Sequence, residues 1–289
     1  MRLFLCVCML LVCAASFAQP VLTVKYIGNN SGVKEDYYLE LIDAALKITE
    51  PQFGPYKIDF VQEQLTSQRK HELLVTGERL NIDRLVGFHN NAGPRSVLLQ
   101  VKMPLLRGFM GYRIPLIRRD KQSIFDHVNT LDELKKIPLG LGKGWEGYIY
   151  QKNGFTLTEP INFETLLKML AGGRFDFVPL SAIEIEDSYQ IDTQTLDVLA
   201  PENHILIHTA LPNYFYVSPN APELASRLNT GFKELQKNGR MNKIFDKYFL
   251  LRLKKLNLGK RKIIEIPNPE DDGSLGPIDH SVLKAYSRN

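Results

Sequence analysis

Three observations predict an α/β fold made of two strand–helix cycles closed by a helical end. Short runs rich in β-branched and aromatic residues alternate with stretches of helical period, twice over. Glycine, proline and asparagine clusters such as Gly28-Asn29-Asn30 and Gly54-Pro55 stand between them. The chain then ends its periodic part in two consecutive amphipathic stretches with no strand between them.

In the first cycle, Val21 to Ile27 reads as a strand. Asp36 is expected to cap a helix that carries Leu39, Ile42 and Leu46 on one face. Tyr56 to Val61 is a second strand, 66–80 a second helix with Leu73 and Leu74 inward, and Arg84 to Phe88 a short third strand. This order suggests a parallel sheet.

In the second cycle, 109–117 is a strand and 131–136 a helix, with Thr130 and Glu133 spaced as a capping box. A short strand over 138–141 runs into Gly142-Lys143-Gly144-Trp145-Glu146. A helix over 164–171 follows, with Leu166, Leu167 and Leu170 inward, then strands at 175–179, 205–207 and 214–217. The helical end covers 222–237 and a run in which Met241, Ile244, Phe245, Tyr248 and Phe249 share one face. After Gly259 the polar, Pro/Gly-rich sequence is expected to lie on the surface as an extended, partly ordered tail.

The 289 residues are 44% hydrophobic and 24% charged, which excludes a disordered or low-complexity chain. A net charge of +4 is too small for a nucleic-acid footprint. All 3 cysteines, Cys6, Cys8 and Cys13, precede residue 14, so the body of the protein has no disulfide framework, cysteine-ligated metal or thiol nucleophile. Met1-Arg2, an apolar run from Leu3 to Ala15, and Ser16-Phe17-Ala18 have the order of a secretory signal, with cleavage expected between Ala18 and Gln19. The run is short of the roughly 20 residues a spanning helix needs. Val12 before Cys13 departs from the small residue a lipobox carries.

Several short motifs then point to one family: Asp36-Tyr37-Tyr38-Leu39-Glu40-Leu41-Ile42, Leu105-Leu106-Arg107-Gly108-Phe109-Met110-Gly111-Tyr112-Arg113, and Leu170-Ala171-Gly172-Gly173-Arg174-Phe175-Asp176. The run Lys237-Asn238-Gly239-Arg240-Met241-Asn242-Lys243-Ile244 resembles the glycine, hydrophobic and isoleucine signature near the end of family 3 extracellular solute-binding proteins. The mature chain as a whole resembles that family, the amino-acid-binding component of ABC transporters. The resemblance implies a type II periplasmic-binding fold, two α/β lobes joined by a two-segment hinge. Residues 1–18 would be the signal peptide, 19–111 plus 214–289 lobe 1, and 112–213 lobe 2, with crossings near 108–112 and 211–214. The implied protein is periplasmic and monomeric. It uses no cofactor, metal or covalent chemistry and takes a small polar, amino-acid-like or carboxylate-bearing ligand for an inner-membrane permease. The alternatives are a transport-independent sensor of the same fold and an exported enzyme with an acid/base pair in the cleft.

The resemblance also suggests ligand contacts. Arg95 stands where the family places a carboxylate-forking arginine, although Ala92 replaces the hydroxyl residue three before it. A surface arginine is the plain alternative. Gly144 and Trp145 follow a lobe 2 strand, where a helix N-terminus and an aromatic face would meet a ligand. Tyr26, Phe88 and His89 end strands whose carboxyl ends should face the cleft, with core packing or a solvated loop as the alternative. Ser181 stands where the family places a polar group for an amino ligand. Glu184, Glu186 and Asp187 are expected in a polar loop without acid/base chemistry. There is no zincin helix after His71-Glu72, no Gly-x-Ser-x-Gly elbow and no P-loop.

Overall fold

A computed structural model of the chain describes residues 20–28, 32–87, 94–142, 144–186, 197–273, 275 and 278–287. The expected signal at 1–18, and Phe88, His89 and Asp187, lie outside the described residues.

Strand β1, Leu22–Gly28, pairs in parallel with β2, Tyr56–Gln62. Helix α1, Val33–Ile48, connects them, and its buried face carries Tyr37, Tyr38, Leu41, Ile42, Ala45 and Leu46. It starts one turn earlier than the sequence suggests. Asp36 is inside the first turn, its amide donating to the Gly32 carbonyl at 3.1 Å, and is not the cap. A short helix α2, Glu50–Phe53, follows. Helix α3, Ser67–Thr76, is capped by the Thr66 hydroxyl, which accepts from the Arg69 amide at 3.2 Å. It stops at Gly77, whose φ of +73° reverses the chain before residue 80.

Strand β3, Ile82–Val86, does not join the β1–β2 pair by a ladder. Asn81 sews the two together: its Oδ1 accepts from the Lys25 amide at 2.7 Å, and its Nδ2 donates to the Thr23 carbonyl at 2.8 Å. With β4, Leu99–Gln100, β3 flanks a strand that arrives from the far end of the chain, so the order is β3-β11-β4 and both pairings are antiparallel. That strand is β11, Asn213–Val217.

The chain leaves the first lobe through residues 106–111, where Leu106, Arg107 and Gly108 all have positive φ (56°, 50° and 79°). It enters β5, Tyr112–Arg118, the centre of a seven-stranded sheet. The remaining strands are β6, Leu139–Gly140; β7, Leu157–Thr158; β8, Phe177–Ser181; β9, Leu199–Pro201; β10, Ile205–His208; and β12, Lys262–Glu265. The sheet is mixed where the sequence suggested parallel. β5 enters from the other lobe, β10 leads back to it, and β5 runs antiparallel to β8, β9 and β10. Helices α4, Leu131–Leu134, with the expected capping box, α5, Trp145–Lys152, and α6, Phe163–Ala171, belong to this lobe.

The return passes beside the outward crossing. The Thr209 amide donates to the Gly111 carbonyl at 3.1 Å, and a Cβ on Gly111 would sit 2.2 Å from the Thr209 carbonyl oxygen, so a glycine is required there. Helices α7, Pro222–Lys237, and α8, Arg240–Lys255, then pack on α1. The Tyr37 ring meets Phe249 edge-on at 5.1 Å.

The tail after Gly259 is built into the fold, against the expectation of a loose surface segment. Lys262–Glu265 adds to the second sheet beside β10, so this strand leaves the lobe 1 stretch 214–289 for the lobe 2 sheet. A final 3-10 turn, His280–Tyr286, buries Leu283 and Tyr286, and Tyr286 packs edge-on against Phe109 at 4.9 Å. Among the described residues no helix is long and apolar enough to cross a membrane.

Candidate functional site

A cavity of about 1050 Å³ opens on lobe 2 and reaches Ser67, at the start of α3 in lobe 1. It is lined by Val178 to Leu180 of β8, by Gly142 and Gly144 to Glu146, and by 159–163. The turn is glycine-built: Gly144, with φ +143°, caps α5 and lets Trp145 and Glu146 begin the helix at the cavity wall. Trp145 is 42% exposed and Ile161 on the rim is 96% exposed, an unusual display of apolar surface beside charged groups.

Beneath Trp145 lie Arg113, the second residue of β5, and Glu146. Arg113 is only 4% exposed. Its Nε stands 3.3 Å from Glu146 Oε1, yet neither atom makes a hydrogen bond. Burial pushes the Glu146 carboxyl above the usual carboxylate range, more than the Arg113 charge pulls it down. Glu184, on the turn after β8, also lines the cavity. Burial raises its carboxyl, but Lys34, Arg113 and Arg84 together outweigh that and hold it below the usual range. Two carboxylates in one cavity are thus pushed in opposite directions.

The Lys34–Glu184 ion pair joins the first turn of α1 to lobe 2. Next to Lys34, Glu35 accepts from the Tyr26 hydroxyl at 2.9 Å and pairs with Arg84 on β3. Burial works against the Arg84 charge, but Tyr26, Tyr38, Glu35 and Asp83 around it hold it firmly protonated. The guanidinium also lies 4.9 Å over the Tyr38 ring.

Of the residues singled out from the sequence, Gly144 and Trp145 line the cavity. Tyr26 is wholly buried and meets Glu35, because its position on β1 points it into the core of lobe 1. Ser181 is buried too. Its hydroxyl accepts from the Ile183 amide at 3.3 Å and is spent on the turn after β8. Arg95 lies on a short 3-10 turn, Pro94–Val97. Arg113, Glu146, Glu184 and Lys34 were not read as ligand groups. The signals available were the 105–113 motif, which ends on Arg113, the glycine-rich run that ends on Glu146, and the acidic loop that holds Glu184.

Residues 149–251 match the family model for bacterial extracellular solute-binding proteins, family 3. Among solved structures, the probable amino-acid ABC transporter extracellular-binding protein ytmK of Bacillus subtilis superposes with a TM-score of 0.58 at 14% identity, over 80% of this chain and 98% of that one. A histidine kinase sensor domain with similarity to periplasmic binding proteins gives 0.52 at 16% identity, over 80% and 97%. The ancestral amino acid-binding protein AncCDT-1, a precursor of cyclohexadienyl dehydratase, gives 0.51 at 16%, over 78% and 95%. No curated protein matches the sequence. The chain is similar to the family 3 extracellular solute-binding proteins and has the type II periplasmic-binding fold.

Proposed function

We propose that this chain is an exported solute-binding protein that takes a small polar solute carrying charge into the cavity beside Trp145 and closes its lobes over it. The observation that carries this reading is the Arg113–Glu146 wall: opposite charges 3.3 Å apart, Arg113 buried and Glu146 largely so, each with a buried polar atom that makes no hydrogen bond among the described residues. Buried polar atoms of this kind are normally satisfied, and a ligand carrying an anionic and a cationic group would satisfy both. The exposed Trp145 and Ile161 supply apolar surface that a closing lobe 1 would cover. The volume suits a ligand of amino-acid size with its water. Export rests on the signal pattern at 1–18.

The test is a thermal-shift and calorimetric screen of the mature protein against amino acids, organic acids, polyamines and short peptides. A ligand at 100 times its Kd stabilises the fold by about 2.7 kcal/mol. Arg113→Ala should weaken binding of a carboxylate ligand by at least about tenfold. If Arg95→Ala abolishes binding and Arg113→Ala does not, the anion site lies on Arg95 instead. If no polar solute binds, the reading fails. Uptake by cells lacking the protein would separate delivery to a permease from a transport-independent sensor.

One observation favours a second reading, an enzyme: two carboxyls line one cavity, Glu146 raised by its burial and Glu184 lowered by Lys34, Arg113 and Arg84. Following each bound ligand by NMR separates the two. A binding protein returns it unchanged. An enzyme yields product that disappears in Glu146→Gln.

A further inference from the structure

Outside the residues that line the cavity, beside the crossing, three ligand-type side chains meet. His208 ends β10, Glu265 ends β12, and His280 opens the final 3-10 turn. The sheet brings the first two together, since His208 pairs in register with Glu265 on one side and with Tyr112 on the other. Residues in one such row leave the same face of the sheet. The Glu265 carboxylate lies between the imidazoles, one oxygen 2.7 Å from His208 Nδ1 and the other 2.8 Å from His280 Nε2. One ligand atom from each residue falls within a 4.8 Å group.

We propose that His208, Glu265 and His280 form a zinc-type site that clasps the C-terminal turn to the interlobe crossing. Two imidazole nitrogens and a carboxylate are a donor set that zinc favours, with bonds of about 2.0–2.2 Å. Each neutral ring would face zinc with an unprotonated nitrogen, His208 Nδ1 and His280 Nε2, and keep its single proton on the other nitrogen, which in His280 is the Nδ1 beside the Tyr112 hydroxyl, so no net proton is lost from the rings. The surroundings are organised as an outer shell. The Tyr112 hydroxyl is 2.8 Å from His280 Nδ1, where it fixes the ring and leaves Nε2 for the metal. The Asp279 carboxylate accepts from the Ser281 amide at 2.8 Å and so sets the turn that presents His280. The Tyr112 ring lies 4.5 Å from that of His208. An entry path exists: Glu265 is half exposed, and a surface cavity of about 370 Å³ is lined by His280, Asp279 and Ser281.

The test uses the untagged mature protein, freed of metal by a chelator and titrated with zinc chloride by calorimetry. One zinc per chain is expected. His280→Gln and Glu265→Gln, both at accessible positions, should weaken binding at least about tenfold, and Tyr112→Phe by about tenfold. His127→Gln, on an exposed loop, should leave it unchanged. Cobalt(II) should give a visible d–d band that His280→Gln removes. Zinc should also slow amide exchange across 280–286 in the wild type only. Metal-free melting curves of the variants matching wild type show that the fold is intact. Sub-stoichiometric binding, or His280→Gln binding zinc as tightly as wild type, overturns the proposal.

Discussion

At the cleft the two lobes hold charge differently. Lobe 1 has Glu35 already engaged, taking a hydrogen bond from Tyr26 and pairing with Arg84, which also rests on the Tyr38 ring. Behind it, Lys70 donates to the Ile27 carbonyl at 2.8 Å and faces Asp83 at 3.6 Å, both side chains almost wholly buried. Lobe 2 holds Arg113 and Glu146 face to face without a hydrogen bond between them, under an exposed tryptophan. The charges of lobe 1 are largely committed to its own fold, and under the proposed function lobe 1 would act as the lid and lobe 2 as the receiving surface.

The contrast is broken most severely by removing the buried lysine of lobe 1. Lys70→Met removes the ammonium 3.6 Å from the buried Asp83, which keeps only the more distant charge of Arg84, and should cost about 1–3 kcal/mol, read from urea unfolding. A small loss there would mean that lobe 1 does not depend on its internal charge.

Lobe 2 is tested by Glu146→Gln. Burial raises this carboxyl, so between the ordinary carboxylate range and its raised value the folded protein binds more protons than the unfolded chain, and stability falls as pH rises. The variant lacks that slope. It should melt above wild type at neutral pH, with the difference closing in acid. Arg113 keeps a neighbouring anion in Glu184. Melting temperatures measured from acid to neutral pH check this, and parallel profiles would remove Glu146 from the account of lobe 2.

The smallest effect belongs to the contact between the lobes. Lys34→Met removes a partly exposed pair worth about 0.2–1 kcal/mol, so stability should hardly move. The lobes should open, seen as a larger radius of gyration in small-angle scattering. Acid should do the same in wild type. Glu184 is held below the usual range, so what its charge contributes is present above the ordinary carboxylate value and lost only as pH falls through the lowered one. Unchanged scattering would mean the pair does not hold the cleft.

How far the sequence could be read follows from how local each signal is. Helices α7 and α8 were legible because their apolar period is written in consecutive turns, and the Thr130–Glu133 cap because it lies within four residues. The antiparallel centre of the second sheet was not, since the direction of β5 is fixed by partners far along the chain at β8 and β10. Strand β12 was missed for the same reason: Lys262-Ile263-Ile264-Glu265 is too short to announce itself without β10 beside it. At the cavity, Gly144 and Trp145 were visible as a glycine-rich turn with the sole tryptophan, and both line it. Arg113, Glu146, Glu184 and Lys34 come from separate elements and only the folded chain brings them together. Tyr26 and Ser181 were placed at the right strand ends, but end position alone does not fix which way a side chain points.

Gly111 carries one more consequence. With the Thr209 carbonyl where a Cβ would have to sit, and the Thr209 amide bonded across, the outgoing and returning segments are fastened into a single axle instead of hanging as two independent tethers. If the lobes close as proposed, one inter-lobe distance, such as that between two spin labels, should follow the closure.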